Sequence, residues 1–155
     1  MTIIIIALIA IIAGVLVLIS LNMQKKITAN NVNLSADQIV SSVIKKMNYQ
    51  NLSPVSKENI SKFYDIPNNT ITDYAVYISN HSGNETEIAC FKLKDTESEQ
   101  KVLNCVYEYT KSKNPIEQSP ATNIQSMVSS HYPYIFVAIS SDCENAVKSF
   151  EKLIS

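Results

Sequence analysis

The sequence predicts an α+β protein: an N-terminal transmembrane helix, then a small, mainly antiparallel sheet with helices packed on one face. Three observations carry that expectation. Thr2 to Leu21 reads TIIIIALIAIIAGVLVLISL, and no charge appears before Lys25. From Thr70 the apolar spacing changes from helical to alternating, and it turns helical again from Thr96. Tyr134 to Ser140, YIFVAIS, is almost wholly apolar and runs directly into an amphipathic segment. The expected divisions are an anchor over residues 1–23, a linker over 24–33 and an α+β domain over 34–155.

The first stretch has the length of a membrane span. About 20 helical residues at roughly 1.5 Å each cover about 30 Å, the thickness of the hydrocarbon layer. A cleaved secretory signal would carry a basic residue before the apolar run and small residues after it. Neither is present, and no Cys follows to accept a lipid. Residues 2–21 are therefore expected to partner the bilayer as an uncleaved single pass. Lys25 and Lys26 follow the span and nothing basic precedes it, so the positive-inside rule taken literally turns the domain towards the cytoplasm.

Gln24 to Asn33 is polar and Asn-rich, as a flexible linker is. Ser35 with Gln38 then forms a capping box. Val40, Val43, Ile44 and Met47 give the helix one apolar face, and Lys45 and Lys46 suit its C-terminal end. A second, shorter helix is expected from Ser56, burying Ile60, Phe63 and Tyr64 and ending before Pro67. Thr72, Tyr74, Val76 and Ile78 alternate along a strand to Ser79. After turn residues at 80–84, Glu85 to Lys94 is the partner strand. Thr96 with Glu99 opens a helix to about Lys113 that buries Val102, Cys105, Val106 and Tyr109. Ser112 to Thr122 reads as a loop. Ile124 to Ser129 fits either a short helix or a strand, and the strand is favoured because Ser129–Pro133 looks like a turn into the stronger strand Tyr134–Ser140. Ser141 with Glu144 caps the last helix, whose core face is Ala146, Val147, Phe150, Leu153 and Ile154. The expected order is α-α-β-β-α-β-β-α.

Composition narrows the chemistry. The formal net charge of −1 supplies no basic field, so no nucleic-acid partner is expected. All 13 basic residues are Lys, which removes the bidentate tool for phosphate and carboxylate. Two Gly exclude a Gly-rich phosphate loop, and no cofactor is expected. Cys90, Cys105 and Cys143 are odd in number and widely spaced, which fits neither a disulfide framework nor a zinc site.

The run FYDIPNNTITDYAVYIS, the segment EIACFKLKD, the charged helix after it and PYIFVAISSDCENAVKSFEKLI together resemble domain-of-unknown-function family 4358. The likeness covers about Ser35 to Ile154 and rests on Phe63, Tyr64 and Ile66, the hairpin strands and the closing strand–helix element. It implies a small protein of Gram-positive anaerobes behind a lipoprotein signal or a membrane anchor. It also implies an extracytoplasmic domain with no established activity. The chain departs from the lipoprotein members by lacking the lipid-accepting Cys.

Several residues have functional readings. His81 and His131 fall in expected turns; if these met, they could bind a metal or act as a base. Cys143 lies in the first turn of a helix, which would lower its thiol pKa. Asp95, Glu97 and Glu99 resemble a carboxylate cluster that could take Ca²⁺. A helix dipole favours acidic residues in its first turn, however, and the EF-hand spacing with its Gly is absent, so a solvated helix start is the favoured reading. His131, Tyr132 and Tyr134 form a candidate interaction surface, with Tyr107 and Tyr109 elsewhere. The leading expectation is a membrane-anchored, extracytoplasmic and non-enzymatic binding module with a protein partner in the cell envelope. The alternatives are a small hydrolase or thiol enzyme using His81, His131 or Cys143, and a cytosol-facing membrane scaffold.

Overall fold

Ser35 opens the first helix as its spacing predicts. Its hydroxyl accepts from the Gln38 N–H at 3.1 Å, and Gln38 Oε1 accepts from the Ser35 N–H at 2.9 Å. Two of the orphan donors at a helix start are thereby satisfied reciprocally. The computed structural model describes residues 33–79, 85–113 and 124–155. Helix α1, Ala36–Met47, ends at Asn48 in the left-handed region (φ 54°), a conformation Asn tolerates at a helix end.

A short strand follows, β1 at Leu52–Pro54, and then a 3-10 helix at Lys57–Lys62 where the sequence predicts a short helix. Strands β2, Ile71–Ser79, and β3, Glu87–Leu93, form the expected antiparallel pair. A 3-10 turn at Thr96–Ser98 leads into α2, Glu99–Lys113. Here the cap is Asp95 rather than Thr96: its carboxylate accepts from the Ser98 N–H at 2.9 Å and the Ser98 hydroxyl at 2.6 Å. Strands β4, Gln125–His131, and β5, Tyr134–Ser140, flank a turn with a cis Tyr132–Pro133 bond. Helix α3, Cys143–Ile154, closes the order.

The five strands are arranged β1-β2-β3-β5-β4, and every neighbouring pair is antiparallel. This places β3 and β5 at the centre. The expectation of helices on one face is corrected here, because these two strands are apolar on both sides and each side must be covered. Ala89, Phe91 and Leu93 of β3 and Ile135, Val137 and Ile139 of β5 pack with Val102 and Val106 of α2 and with Tyr64. On the other face Phe136 stacks on Phe150 of α3 at 4.6 Å, and the Ser149 hydroxyl of α3 meets the Met47 sulfur of α1 at 3.6 Å. Helices α1 and α3 therefore cover one face, and α2 with the 3-10 segment covers the other. The strand β1 was not expected from the sequence; three residues ending in proline carry no readable period.

The start of α1 is tied to the sheet. The Ala36 N–H donates to Asp73 Oδ2 of β2 at 2.7 Å. The Leu34 carbonyl accepts from the Tyr134 hydroxyl at 2.8 Å and from Lys92 Nζ at 3.3 Å. Among the described residues no buried side-chain nitrogen or oxygen lacks a partner. No helix among them is long and apolar enough to cross a membrane. The anchor reading falls on Thr2–Leu21, which lies outside the described residues, as does His81.

Candidate functional site

The 3-10 segment and α2 lie side by side on one face of the sheet and leave a groove between them. Phe63 and Asp65, just after the 3-10 helix, form one wall. Asn104, Cys105, Glu108, Tyr109 and Ser112 of α2 form the other, bordering an open depression of about 430 Å³. Residues 104, 108 and 112 recur every fourth position, so helical geometry alone places them in one row. A smaller crease of about 190 Å³ lies where α1 packs on α3, between Val43 and Leu153.

The groove floor is fixed from behind. The rings of Phe63 and Tyr109 meet edge to face at 6.4 Å, and Tyr109 lies 4.3 Å from Tyr64. Both tyrosine hydroxyls donate to the carboxylate of Glu87 at the head of β3, Tyr109 at 2.7 Å to Oε2 and Tyr64 to Oε1. Glu87 is only 6% exposed. Burial pushes its pKa up, against the lowering by the two hydroxyls and by the Lys113 charge. Burial and the Glu87 charge push both tyrosines up, so both stay protonated and remain donors. Lys113 Nζ sits 5.5 Å from the Tyr109 ring centre, a cation–π distance. Cys105 is the one partly exposed thiol of the three; burial and the nearby Asp65 charge raise its pKa.

The residues singled out by the sequence are dispersed. Tyr134 is 2% exposed and spends its hydroxyl on Leu34, whereas Tyr132 is 52% exposed at the β4–β5 turn. His131 is exposed, 3.7 Å from Glu151 and edge-on to Phe150. The Ser129 hydroxyl donates to that same carboxylate at 3.1 Å. This order puts the carboxylate between serine and histidine, whereas a triad needs the histidine in the middle. Cys143 follows the far end of β5 from His131, and a seven-residue strand is about 20 Å long, so the two do not meet. The expected lowering of the Cys143 pKa is reversed: burial raises it and outweighs the backbone N–H groups of the helix start. Asp95 is the helix cap, with its pKa lowered by the Ser98 hydroxyl, and no three His, Cys, Asp or Glu side chains among the described residues could hold a metal ion.

Ser130 donates to Glu99 at the start of α2, and Tyr109 lies ten residues on, about 15 Å along the helix. The aromatic groups of the hairpin and of α2 are therefore separate. Asp65, Asn104, Glu108 and Ser112 were not anticipated. For Asn104, Glu108 and Ser112 the one sequence signal is a polar stripe beside Cys105, which any solvated helix face would also give; Asp65, just after the 3-10 helix, lies outside that stripe.

This architecture defines a class: a small α+β domain with one antiparallel sheet covered on both faces and an aromatic-floored groove on the α2 side. A family model, the domain of unknown function DUF4358, matches residues 45–125, and the chain belongs to that family. Both groove walls lie inside the matched region. No curated protein and no solved structure matches the chain.

Proposed function

We propose that the protein is a membrane-tethered, extracytoplasmic binding module, with the groove between Phe63–Asp65 and α2 as its recognition site. The observation that carries this reading is the groove itself, concave, rigidly floored by Tyr109 and lined by a few polar groups, as ligand sites are. The tether is the apolar run Thr2–Leu21. The outward orientation rests on the resemblance to anchored and lipoprotein-type proteins and runs against Lys25 and Lys26. The protein partner is expected in the cell envelope, and catalysis by His131 or Cys143 is disfavoured by their separation.

Two measurements test the reading. Cys105 is the most accessible thiol, so an impermeant maleimide added to intact cells at mildly alkaline pH should modify it. Modification only after lysis would place the domain in the cytosol and favour the scaffold alternative. For the binding role, Asn104→p-benzoylphenylalanine should yield a discrete photo-crosslinked adduct in cells, and the same residue at exposed Tyr107 should not. Absence of an adduct from position 104 sinks the groove as the recognition site.

A further inference from the structure

We propose that the groove receives a lysine side chain of an extended partner segment, its ammonium held between Asp65 and Glu108 and its alkyl stem lying on the Tyr109 and Phe63 rings. This rests on the binding-module reading and adds the chemistry of the partner. The charged groups lining the groove are both carboxylates, Asp65 and Glu108, so an anionic ligand is repelled and a cation attracted. Of the two neutral polar side chains in the lining, Ser112 has the same sense, whereas Asn104, whose Oδ1 accepts from Gln100 Nε2 at 2.9 Å, offers amide donors. The Ser112 hydroxyl donates to the Tyr109 carbonyl at 2.6 Å, which leaves its oxygen able to accept.

The floor supports the same conclusion. Tyr109 turns its hydroxyl inward to Glu87 at 2.7 Å, so the groove meets the ring rather than the phenol. Lys113 Nζ already lies 5.5 Å from that ring centre, so the partner's ammonium is directed to the carboxylates and only its stem to the rings. The orientation of the Tyr109 ring is fixed by Tyr64 at 4.3 Å and Phe63 at 6.4 Å, so little ordering cost remains for binding. A bare metal ion fits less well, because Asp65, Glu108 and Cys105 do not converge as a ligand set. A long apolar stem ending in one positive charge matches rings and carboxylates together.

Cys105 supplies the readout, since Cys90 and Cys143 are buried. The full chain in detergent is alkylated with N-ethylmaleimide, with and without acetyl-Leu-Lys-Leu-amide, and Cys105 labelling is followed by mass spectrometry. The lysine peptide should slow labelling, while acetyl-Leu-Gln-Leu-amide and acetyl-Leu-Glu-Leu-amide should need about tenfold higher concentration for the same effect. Asp65→Asn with Glu108→Gln should remove the preference for lysine, and so should 0.5 M salt to a lesser degree. Equal protection by all three peptides, protection by the glutamate peptide alone, no protection by any, or an unchanged preference in the double variant each overturns the proposal. A crosslinked adduct from position 104 alongside any of these outcomes would leave the binding module standing and remove only its lysine specificity.

Discussion

Glu87 is the residue on which the groove side of the sheet depends. A carboxylate at the head of a central strand is costly to bury, and here both oxygens are bonded to tyrosine hydroxyls. The hydroxyls recover only part of the cost, and the folded pKa stands above its usual value. The sign follows from linkage. Between the ordinary glutamate range and the raised folded value, the native state binds more protons than the unfolded state, so stability falls as pH rises. The contribution of Glu87 is fully present below its unfolded pKa and is lost as pH climbs through its folded pKa. Glu87→Gln removes that titration while keeping a polar group between the tyrosines. The melting temperature of the native protein minus that of the variant should therefore fall as pH rises from about 4.5 and then level off. A difference that is flat or rises with pH would show that Glu87 is not held in a desolvated site. In the sequence Glu87 is one charged residue at the start of a strand, and such residues are usually solvated. Its partners lie 23 and 22 positions away, so no local spacing reveals them.

At the scale of elements, α1 separates what was legible from what was not. Ser35 and Gln38 are three residues apart, and the capping box they predict is present in both halves. The third contact at that end, Asp73 to the Ala36 N–H, crosses 37 residues and depends on β2 being placed beneath the helix. Asp73→Ala should cost about 1 kcal/mol in urea denaturation, the usual worth of a helix cap. Amide exchange should quicken at Ala36, while Gln38, capped by Ser35, stays protected. Unchanged exchange at Ala36 would mean that the contact does not hold the helix start. The same distinction explains the sheet. Alternating residues made β2 and β3 readable, and the apolar run of β5 marked a strand buried on both sides. A strand buried on both sides requires helices on both faces, and that inference, rather than any missing residue, separates the expected from the observed layering. β1 was lost because Leu52–Pro54 is too short for a period and follows Asn51, whose φ of 60° belongs to a turn. The groove was illegible for a related reason: Phe63 and Tyr109 were read as core, and in part they are, each being partly buried and partly exposed.

At the scale of the molecule, the core between the sheet and its helices is drawn from Leu34–Leu153, which forms one compact unit. Its apolar side chains are matched across both faces, from Ile39, Val40 and Val43 of α1 to Phe91, Ile135 and Phe150, all at most 1% exposed. The apolar run Thr2–Leu21 has a composition that suits hydrocarbon rather than a second small core. The two parts should therefore be separable. Removing residues 1–32 should leave a water-soluble chain with one cooperative thermal transition, and the far-ultraviolet spectrum should retain both helix and strand signals. The full chain should instead sediment with membranes and resist carbonate extraction, since about 20 apolar residues are enough to span the bilayer. Recovery of the full chain in the carbonate supernatant would remove the tether and, with it, the reason to place this domain at a membrane. A truncated chain that melts without cooperativity would mean that the first 32 residues complete the core. The fold would then have to be read as one body from the N-terminus onward.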